Sequence, residues 1–118
     1  LPLGSTGKVA CLLRDEADVA AAWLMMRRGC FVFPVAFRNF DFSLLERYSY
    51  GQKSSLSLVN DFNEAGDFAI KNRCRAFVVG DTIDDFGKSD YSAVGIPVLF
   101  PLIAYTEDEL ASLLARIR

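Results

Sequence analysis

Residues 8–29 read K-V-A-C-L-L-R-D-E-A-D-V-A-A-A-W-L-M-M-R-R-G, and this stretch gives the clearest indication of the fold class. Its first part, residues 8–13, is a short apolar run rich in strand formers, which predicts a buried strand. Asp15 and its acidic neighbour suit the first turn of a helix, and paired arginines followed by Gly29 suit its end, so residues 17–28 are predicted as a helix. A strand that runs directly into a helix is typical of α/β domains.

Strands and helices alternate along the rest of the chain. The further predicted strands are residues 30–37, 55–62, 75–79 and 96–102, and the further predicted helices are a short one at 41–50, one at 63–73 capped by Asn63, and a final one opened by a capping box of Thr106 and Glu109. Pro34 cannot donate a ladder hydrogen bond, so it predicts a strand end or a bulge. Residues 84–92 are predicted as a loop or a broken helix.

This alternation predicts one α/β domain over residues 1–118, with a doubly wound, Rossmann-like, parallel five-stranded sheet and helices on both faces. In such a sheet a ligand binds beyond the carboxyl ends of the strands, where the strand order reverses.

The composition excludes several classes of protein. Thirteen basic and fifteen acidic residues give a formal net charge of -2, without the basic excess that drives strong nucleic-acid binding. No apolar run reaches the about 18 residues of a membrane span, and no secretory signal is recognisable. Cys11, Cys30 and Cys74 are odd in number and form no C-x-x-C pair, so we expect neither disulfides nor a metal site, and a reducing, cytoplasmic location fits best. The chain begins with Leu1, which is compatible with a fragment of a longer protein.

Three stretches carry a resemblance to a known family: L-P-L-G-S-T-G-K-V at 1–9, A-A-W-L-M-M-R-R-G-C at 21–30 and I-P-V-L-F-P-L-I-A-Y-T-E-D-E at 96–109. Together they resemble the catalytic domain of the 4-thiouridine-forming tRNA sulfurtransferases, the ThiI family of tRNA thiolation and thiamine biosynthesis. Gly80 and Asp81 fall where that family ends a strand with Gly-Glu or Gly-Asp. The resemblance implies the ATP-pyrophosphatase fold, also called the PP-loop fold, of the adenine nucleotide alpha-hydrolase-like class.

The family's phosphate-binding loop reads Ser-Gly-Gly-x-Asp-Ser, but this chain has R-D-E-A-D-V at 14–19, with one residue fewer before Trp23. Only Asp18 matches. Glycines let the loop backbone point its N–H groups at a phosphate, whereas acidic side chains repel it. The resemblance thus implies a vestigial nucleotide pocket, formed by Arg14, Asp15, Glu16, Asp18, Phe37, Gly80 and Asp81. We expect no cofactor; ATP and magnesium would bind only if the pocket still functions.

The acidic residues of this turn have two further interpretations. In the first turn of a helix they stabilise the helix dipole by about 0.3 to 1 kcal/mol each. Alternatively, Asp15, Glu16 and Asp18 together could hold a cation on hard oxygen ligands.

A second family signature is also missing. The family has a polar stretch resembling S-L-G-Q-V-A-S-Q-T after the Gly-Glu strand end, and this chain has T-I-D-D-F-G-K-S-D at 82–90. Two losses in one pocket indicate that the pocket no longer serves its original chemistry.

Few other residues could carry chemistry. The chain has no histidine, which removes the commonest general base and metal ligand. The weak catalytic candidates are Asp18 and Cys74, whose neighbours Arg73 and Arg75 could lower the pKa of its thiol; buried, inert thiols are the simpler interpretation. Phenylalanines at 31, 33, 37, 40 and 42 are interpreted as core or rim packing, with a base-stacking platform or a patch for a partner subunit at 37–42 as alternatives.

Three functional hypotheses follow. The first is a non-catalytic binding or interaction module that has lost ATP binding and acts with a protein partner or as a homo-oligomer, binding neither nucleic acid strongly nor a membrane. The second is a divergent ATP-dependent sulfurtransferase in which Asp18 and Asp81 hold magnesium and a cysteine carries sulfur. The third is a domain that binds another small ligand in the old crevice.

Overall fold

The computed structural model describes residues 7–48 and 55–118. Within these ranges the elements run, in chain order, β1 Lys8–Leu12, α1 Glu16–Arg27, β2 Phe31–Phe37, α2 Ser43–Arg47, β3 Ser57–Val59, α3 Phe62–Lys71, β4 Ala76–Val78, a 3-10 helix Ser92–Val94, β5 Val98–Leu99 and α4 Glu107–Ile117. The strands form one sheet of order β3-β2-β1-β4-β5, and every pair of neighbours is parallel. The predicted Rossmann-like α/β fold is confirmed.

Helices cover both faces of the sheet. Helices α1, α2 and α4 pack on one face, while α3 and the 3-10 helix pack on the other. The central strand β1 serves both layers, because Val9 and Cys11 point into the first core and Ala10 and Leu12 into the second. All four side chains are fully buried, as expected for a central parallel strand.

Side-chain caps fix the starts of the helices. In α4 the predicted capping box is confirmed: Thr106 Oγ1 accepts from the Glu109 N–H at 3.1 Å, and Glu109 Oε1 accepts from the Thr106 N–H at 3.0 Å. The predicted Asn63 cap of α3 is wrong. Asp61 has the extended backbone of a cap and accepts from the Glu64 N–H at 2.9 Å, which places Asn63 inside the first turn.

Pro34 lies within β2, and its interpretation as a strand end or bulge is wrong. Backbone groups of a strand face its two neighbours alternately, and Val35 faces β1 because its carbonyl accepts from the Leu13 N–H. Pro34 therefore faces β3. That strand pairs with β2 only from Val35 onward, so no ladder bond requires an N–H at position 34.

Several elements are shorter than predicted. The helix predicted at 41–50 is α2, five residues long, and residues 49 and 50 lie outside the described part of the chain. The strands predicted at 55–62 and 96–102 reduce to the three residues of β3 and the two residues of β5. Residues 84–91 form turns and bends as predicted, and the 3-10 helix that follows was not foreseen.

The phenylalanines of β2 mostly pack within the fold. The Phe33 ring lies edge-on to Phe68 of α3, with centroids 6.3 Å apart, and the Phe37 ring lies edge-on to Phe62 at 5.3 Å. Phe31 and Phe42 remain exposed. Core and rim packing therefore accounts for Phe33 and Phe37.

The tryptophan of the chain sits where α1 meets α4. Trp23 packs against the first core, and the guanidinium groups of Arg27 and Arg116 lie 5.2 and 5.4 Å from its ring centroid. Because Arg27 belongs to α1 and Arg116 to α4, the ring joins the two helices. No helix in the described ranges combines the length and apolar character needed to cross a membrane.

Candidate functional site

The candidate site lies where the strand order reverses, beside the central strand β1. Strand β1 has β2 on one side and β4 on the other, so the crevice expected for a ligand opens beyond the carboxyl ends of β1 and β4. Arg14 follows β1, Asp18 lies in the first turn of α1, and Asp81 follows β4. The fold brings these three predicted site residues together.

A guanidinium group fills the crevice. Arg14 Nε and Nη2 donate to the two carboxylate oxygens of Asp18 at 2.7 and 3.1 Å, and Nη2 also donates to Asp81 Oδ1 at 2.8 Å. Nη1 donates to the Tyr91 hydroxyl at 2.9 Å, and this hydroxyl donates in turn to Asp81 Oδ2 at 2.8 Å. Every nitrogen of the guanidinium thus has a partner inside the protein. We call these four side chains the Arg14 network.

Asp18 is the most enclosed member of the Arg14 network. Its side chain also accepts from two backbone groups, the Arg14 N–H at 2.8 Å and the Gly80 N–H at 2.6 Å, and only 1% of the residue is exposed. Burial raises the pKa of Asp18, while the hydrogen bonds and charge of Arg14 oppose that rise. Removal of this carboxylate would leave Arg14 and the Gly80 N–H, which donate to it, without their acceptor.

The pKa values of Arg14 and Tyr91 are shifted by the same contacts. Burial alone would lower the pKa of Arg14, but its bonds to Asp18 and Asp81 and the charge of Asp18 raise that pKa above its ordinary value, so the group is always charged. Burial raises the pKa of Tyr91, and the hydrogen bond to Asp81 raises it further, so the hydroxyl keeps its proton.

Strand β4 ends directly against the start of α1. A Cβ atom at Gly80 would lie 2.4 Å from the carbonyl carbon and oxygen of Ala17, so only glycine fits this position. The same close approach lets the Gly80 N–H donate to Asp18. This backbone donor is therefore already used and is not available to a ligand.

The acidic side chains of the first turn do not form the cation site that was the alternative interpretation of these residues. Asp15 caps α1 by accepting from the Asp18 N–H at 3.1 Å, and Glu16 accepts from the Tyr48 hydroxyl at 2.6 Å. Asp18 is bound to Arg14 and Gly80. Each carboxylate has its own partner, and no cluster of three or more candidate metal ligands occurs in residues 7–48 and 55–118. The helix-start interpretation of these residues fits the observed contacts.

Little open space remains at the crevice. The cavity there has a volume of about 140 Å³ and is lined by Arg14, Asp15, Gly80, Asp81, Asp85, Lys88 and Ser89. Ligand pockets usually measure roughly 300 to 1,000 Å³. A nucleotide would therefore need the Arg14 network to open.

Phe37 lies beside this cavity and not in it. It lines two wider grooves at the carboxyl ends of β2 and β3, of about 510 Å³ with Asn60 and Phe62 and of about 300 Å³ with Arg14 and Phe40. Of the Arg14 network, the second groove is lined by Arg14. Phe37 therefore shares a groove with Arg14 but does not line the cavity that Asp15, Gly80 and Asp81 line.

Tyr91 is the site residue that the sequence did not reveal. It comes from the loop after β4 and completes both the hydrogen bonding of Arg14 and that of Asp81. Its ring lies 5.2 Å from that of Phe62 and 6.0 Å from that of Phe100, and these contacts hold it over the sheet edge. A tyrosine among unmatched residues gives no sequence signal for this position.

Cys74 does not have the environment of a reactive thiol. It is 7% exposed, and burial raises the pKa of its thiol. The charge that opposes this shift comes from Lys8 and not from Arg73 or Arg75, so the predicted lowering by the flanking arginines is wrong. Burial also raises the pKa of Cys11 and Cys30.

We expect all three thiols to react slowly in the native protein. Thiolates are the reactive species, and burial disfavours them at Cys11, Cys30 and Cys74. A chromogenic disulfide reagent at neutral pH should modify each at least about tenfold more slowly than in protein unfolded in urea. One thiol that reacts as fast in native as in unfolded protein would contradict the buried placement.

Comparisons with known proteins support the fold. The chain matches no protein-family model and no curated protein. It is similar to the crystal structure of PH1313 from Pyrococcus horikoshii Ot3, with a TM-score of 0.68 and 29% sequence identity over 98% of this chain. The match covers 42% of PH1313, so this chain spans less than half of that protein's length.

A second solved structure has the same fold at greater sequence distance. It is a predicted subunit of tRNA methyltransferase from Methanocaldococcus jannaschii, with a TM-score of 0.58 and 14% identity over 93% of this chain and 75% of that one. At this identity the likeness shows the fold alone.

Proposed function

We propose that this domain derives from the PP-loop catalytic domain of the ThiI family of tRNA sulfurtransferases and has lost ATP binding and adenylation. It would act as a non-catalytic binding or interaction module. The family part of this proposal rests on the three stretches of sequence resemblance, while the similarity to PH1313 and the strand order with its switch point at β1 support the fold.

The single observation that carries the proposal is the position of the Arg14 guanidinium. It lies at the start of α1, where a phosphate-binding loop would direct backbone N–H groups at its ligand, and it is held there by Asp18, Asp81 and Tyr91. The charge that a phosphate would need is thus already neutralised by carboxylates of the same chain.

Displacement of Arg14 by a nucleotide would be costly. It would leave Asp18 and Asp81, which are 1% and 5% exposed, without their cation. Breaking a buried ion pair typically costs about 3 to 5 kcal/mol, which is a large share of the roughly 8 kcal/mol of a micromolar complex. ATP binding at this crevice is therefore unfavourable.

Thermal unfolding with and without ATP tests the proposal. A ligand at 100 times its dissociation constant stabilises a protein by about 2.7 kcal/mol, which for a domain of this size raises the melting temperature by about 10 °C. We expect no shift with millimolar ATP and magnesium beyond that of magnesium alone. A reproducible nucleotide-dependent rise would contradict the proposal.

If ATP does not raise the melting temperature of the native chain, the Arg14→Ala variant distinguishes two reasons for this. If Arg14 alone blocks the site, this variant gains ATP-dependent stabilisation that the native chain lacks. If the loop also lacks the donors that phosphate needs, as its acidic residues and the occupied Gly80 N–H indicate, the variant stays unresponsive. We expect the second result. ATP-dependent tRNA thiolation by the native chain that is lost in Cys74→Ala would instead favour a divergent sulfurtransferase.

A further inference from the structure

A further concave surface adjoins the Arg14 network, since its lining includes Ala17 and Thr82, the chain neighbours of Asp18 and Asp81. It is a groove of about 590 Å³ between the loop that follows β4, the start of α1 and the start of α4, and we call it the β4–α4 groove. Its lining includes Ile83, Asp84, Asp85, Ile103, Glu107 and Leu110. The volume is within the range of ligand sites.

The lining combines an apolar floor with a rim of one charge sign. Ile103, Tyr105 and Leu110 supply apolar surface, and Ile83 stands in the wall with 66% of its surface exposed. Ile83 is therefore not an isolated exposed side chain but part of the same groove lining, and an exposed apolar surface rimmed by polar residues is typical of interaction sites. The chain does not cover this surface with any of its described residues.

The charged groups of the rim are all carboxylates. Asp84, Asp85 and Glu107 line the β4–α4 groove, and no basic side chain from residues 7–48 and 55–118 does. Within the described residues Asp84 and Glu107 make no ion pair, and Asp85 meets Lys88 only at 4.0 Å between exposed side chains. An anionic ligand is therefore repelled, and a cationic one is attracted.

The start of α4 does not offset this preference. In the capping box, the Thr106 hydroxyl and the Glu109 carboxylate accept hydrogen bonds from backbone N–H groups of the helix start. These N–H groups are therefore not available to an anion. Glu107 occupies the first helical position and adds negative charge. The helix end therefore does not form an anion site.

We propose that the β4–α4 groove binds a short peptide segment of a partner protein in which lysine or arginine alternates with large aliphatic side chains. The aliphatic side chains contact Ile83, Ile103 and Leu110, and the cations pair with the rim carboxylates. This chemistry does not depend on the fate of the nucleotide crevice, so the proposal stands whether or not ATP binds there.

The test is an NMR titration of the full ¹⁵N-labelled chain with the acetylated peptide Lys-Leu-Leu-Lys-Leu. We expect saturable shifts of the backbone signals of Ile83, Asp84 and Ala104. The variants Ile83→Ser and Asp84→Lys should each weaken binding by about fivefold or more, because one removes apolar contact and the other inverts a rim charge. Both positions are exposed, so the fold should persist, and circular dichroism verifies this.

Matched controls come from the opposite layer of the fold. Phe31→Ser removes an apolar side chain that is 65% exposed, and Asp67→Lys inverts an exposed charge on α3; both should leave peptide affinity unchanged. The proposal is overturned if no saturable binding occurs at millimolar peptide, if Glu-Leu-Leu-Glu-Leu binds equally well, or if the controls weaken binding as much as the groove variants. Sedimentation could also show that the native chain is a dimer and that Ile83→Ser dissociates it. The occupant of the groove would then be a second copy of this chain, which would also overturn the proposal.

Discussion

Replacing Asp18 with alanine is expected to lower the free energy of unfolding by about 3 to 5 kcal/mol. The carboxylate is buried and accepts from three donors of Arg14 and from the Gly80 N–H. Alanine leaves a cation without its closest partner and a buried backbone donor unsatisfied, and both effects act in the folded state only. Because small domains have a total stability of about 5 to 15 kcal/mol, this loss approaches the limit of folding.

Urea unfolding followed by far-ultraviolet circular dichroism measures the effect. Asp15→Ala is the matched control, because it removes a neighbouring carboxylate that only caps α1, and it should cost about 0.5 to 2 kcal/mol. Asp18→Asn retains an acceptor of the same size and should be less destabilised than Asp18→Ala. An Asp18→Ala variant no less stable than Asp15→Ala would show that the Arg14 network has no special energetic role.

A double-mutant cycle isolates the contact between Arg14 and Asp18. When both are replaced by alanine, the stranded cation disappears, so the double variant should be more stable than the sum of the single losses predicts. Strict additivity would indicate that the two groups act independently.

Gly66→Ala is expected to destabilise the protein by about 3 kcal/mol, although alanine is the better helix former. A Cβ atom at position 66 would lie 2.1 Å from the carbonyl oxygen of Val94 and 2.8 Å from its carbonyl carbon. Both contacts are with backbone atoms of the 3-10 helix, which cannot rotate away as a side chain does. The gain of about 1 kcal/mol from helix propensity is therefore outweighed by the clash.

Thermal or urea unfolding shows which effect is larger. Asp67→Ala, at the next position of α3 and exposed, is the control that changes helix propensity without a clash, and it should leave stability unchanged or slightly raised. A Gly66→Ala variant as stable as Asp67→Ala would mean that the 3-10 helix moves aside without loss.

Much of the fold could be predicted from local patterns. The apolar run of β1, the arginines and glycine that end α1, and the capping box of α4 are each encoded within a few residues. The cap of α3 was predicted at Asn63 and lies at Asp61, because the sequence does not show where the backbone becomes extended. Pro34 was misjudged because its effect depends on where β3 begins to pair, which is a property of the sheet.

The sequence predicted three members of the candidate site, Arg14, Asp18 and Asp81, but neither Tyr91 nor the contacts that join the four side chains. The switch point and the residues 14–18 followed from the strand-to-helix pattern and the family resemblance. The contact between Arg14 and Tyr91 joins residues 77 positions apart, and it depends on how the loop after β4 folds back over the sheet. Charge alone suggested three repelling carboxylates, whereas the structure gives each of them a different partner.

The fluorescence of Trp23 reports on one of the two helical layers of this domain. Trp23 is the single tryptophan of the chain, and its indole lies between a guanidinium of α1 and one of α4. Its emission therefore reports the docking of these two helices, while α3 and its layer on the far side of the sheet carry no such chromophore. Detachment of α4 would change the emission before the circular dichroism of the sheet is lost, so the two optical signals can resolve partial unfolding of the domain.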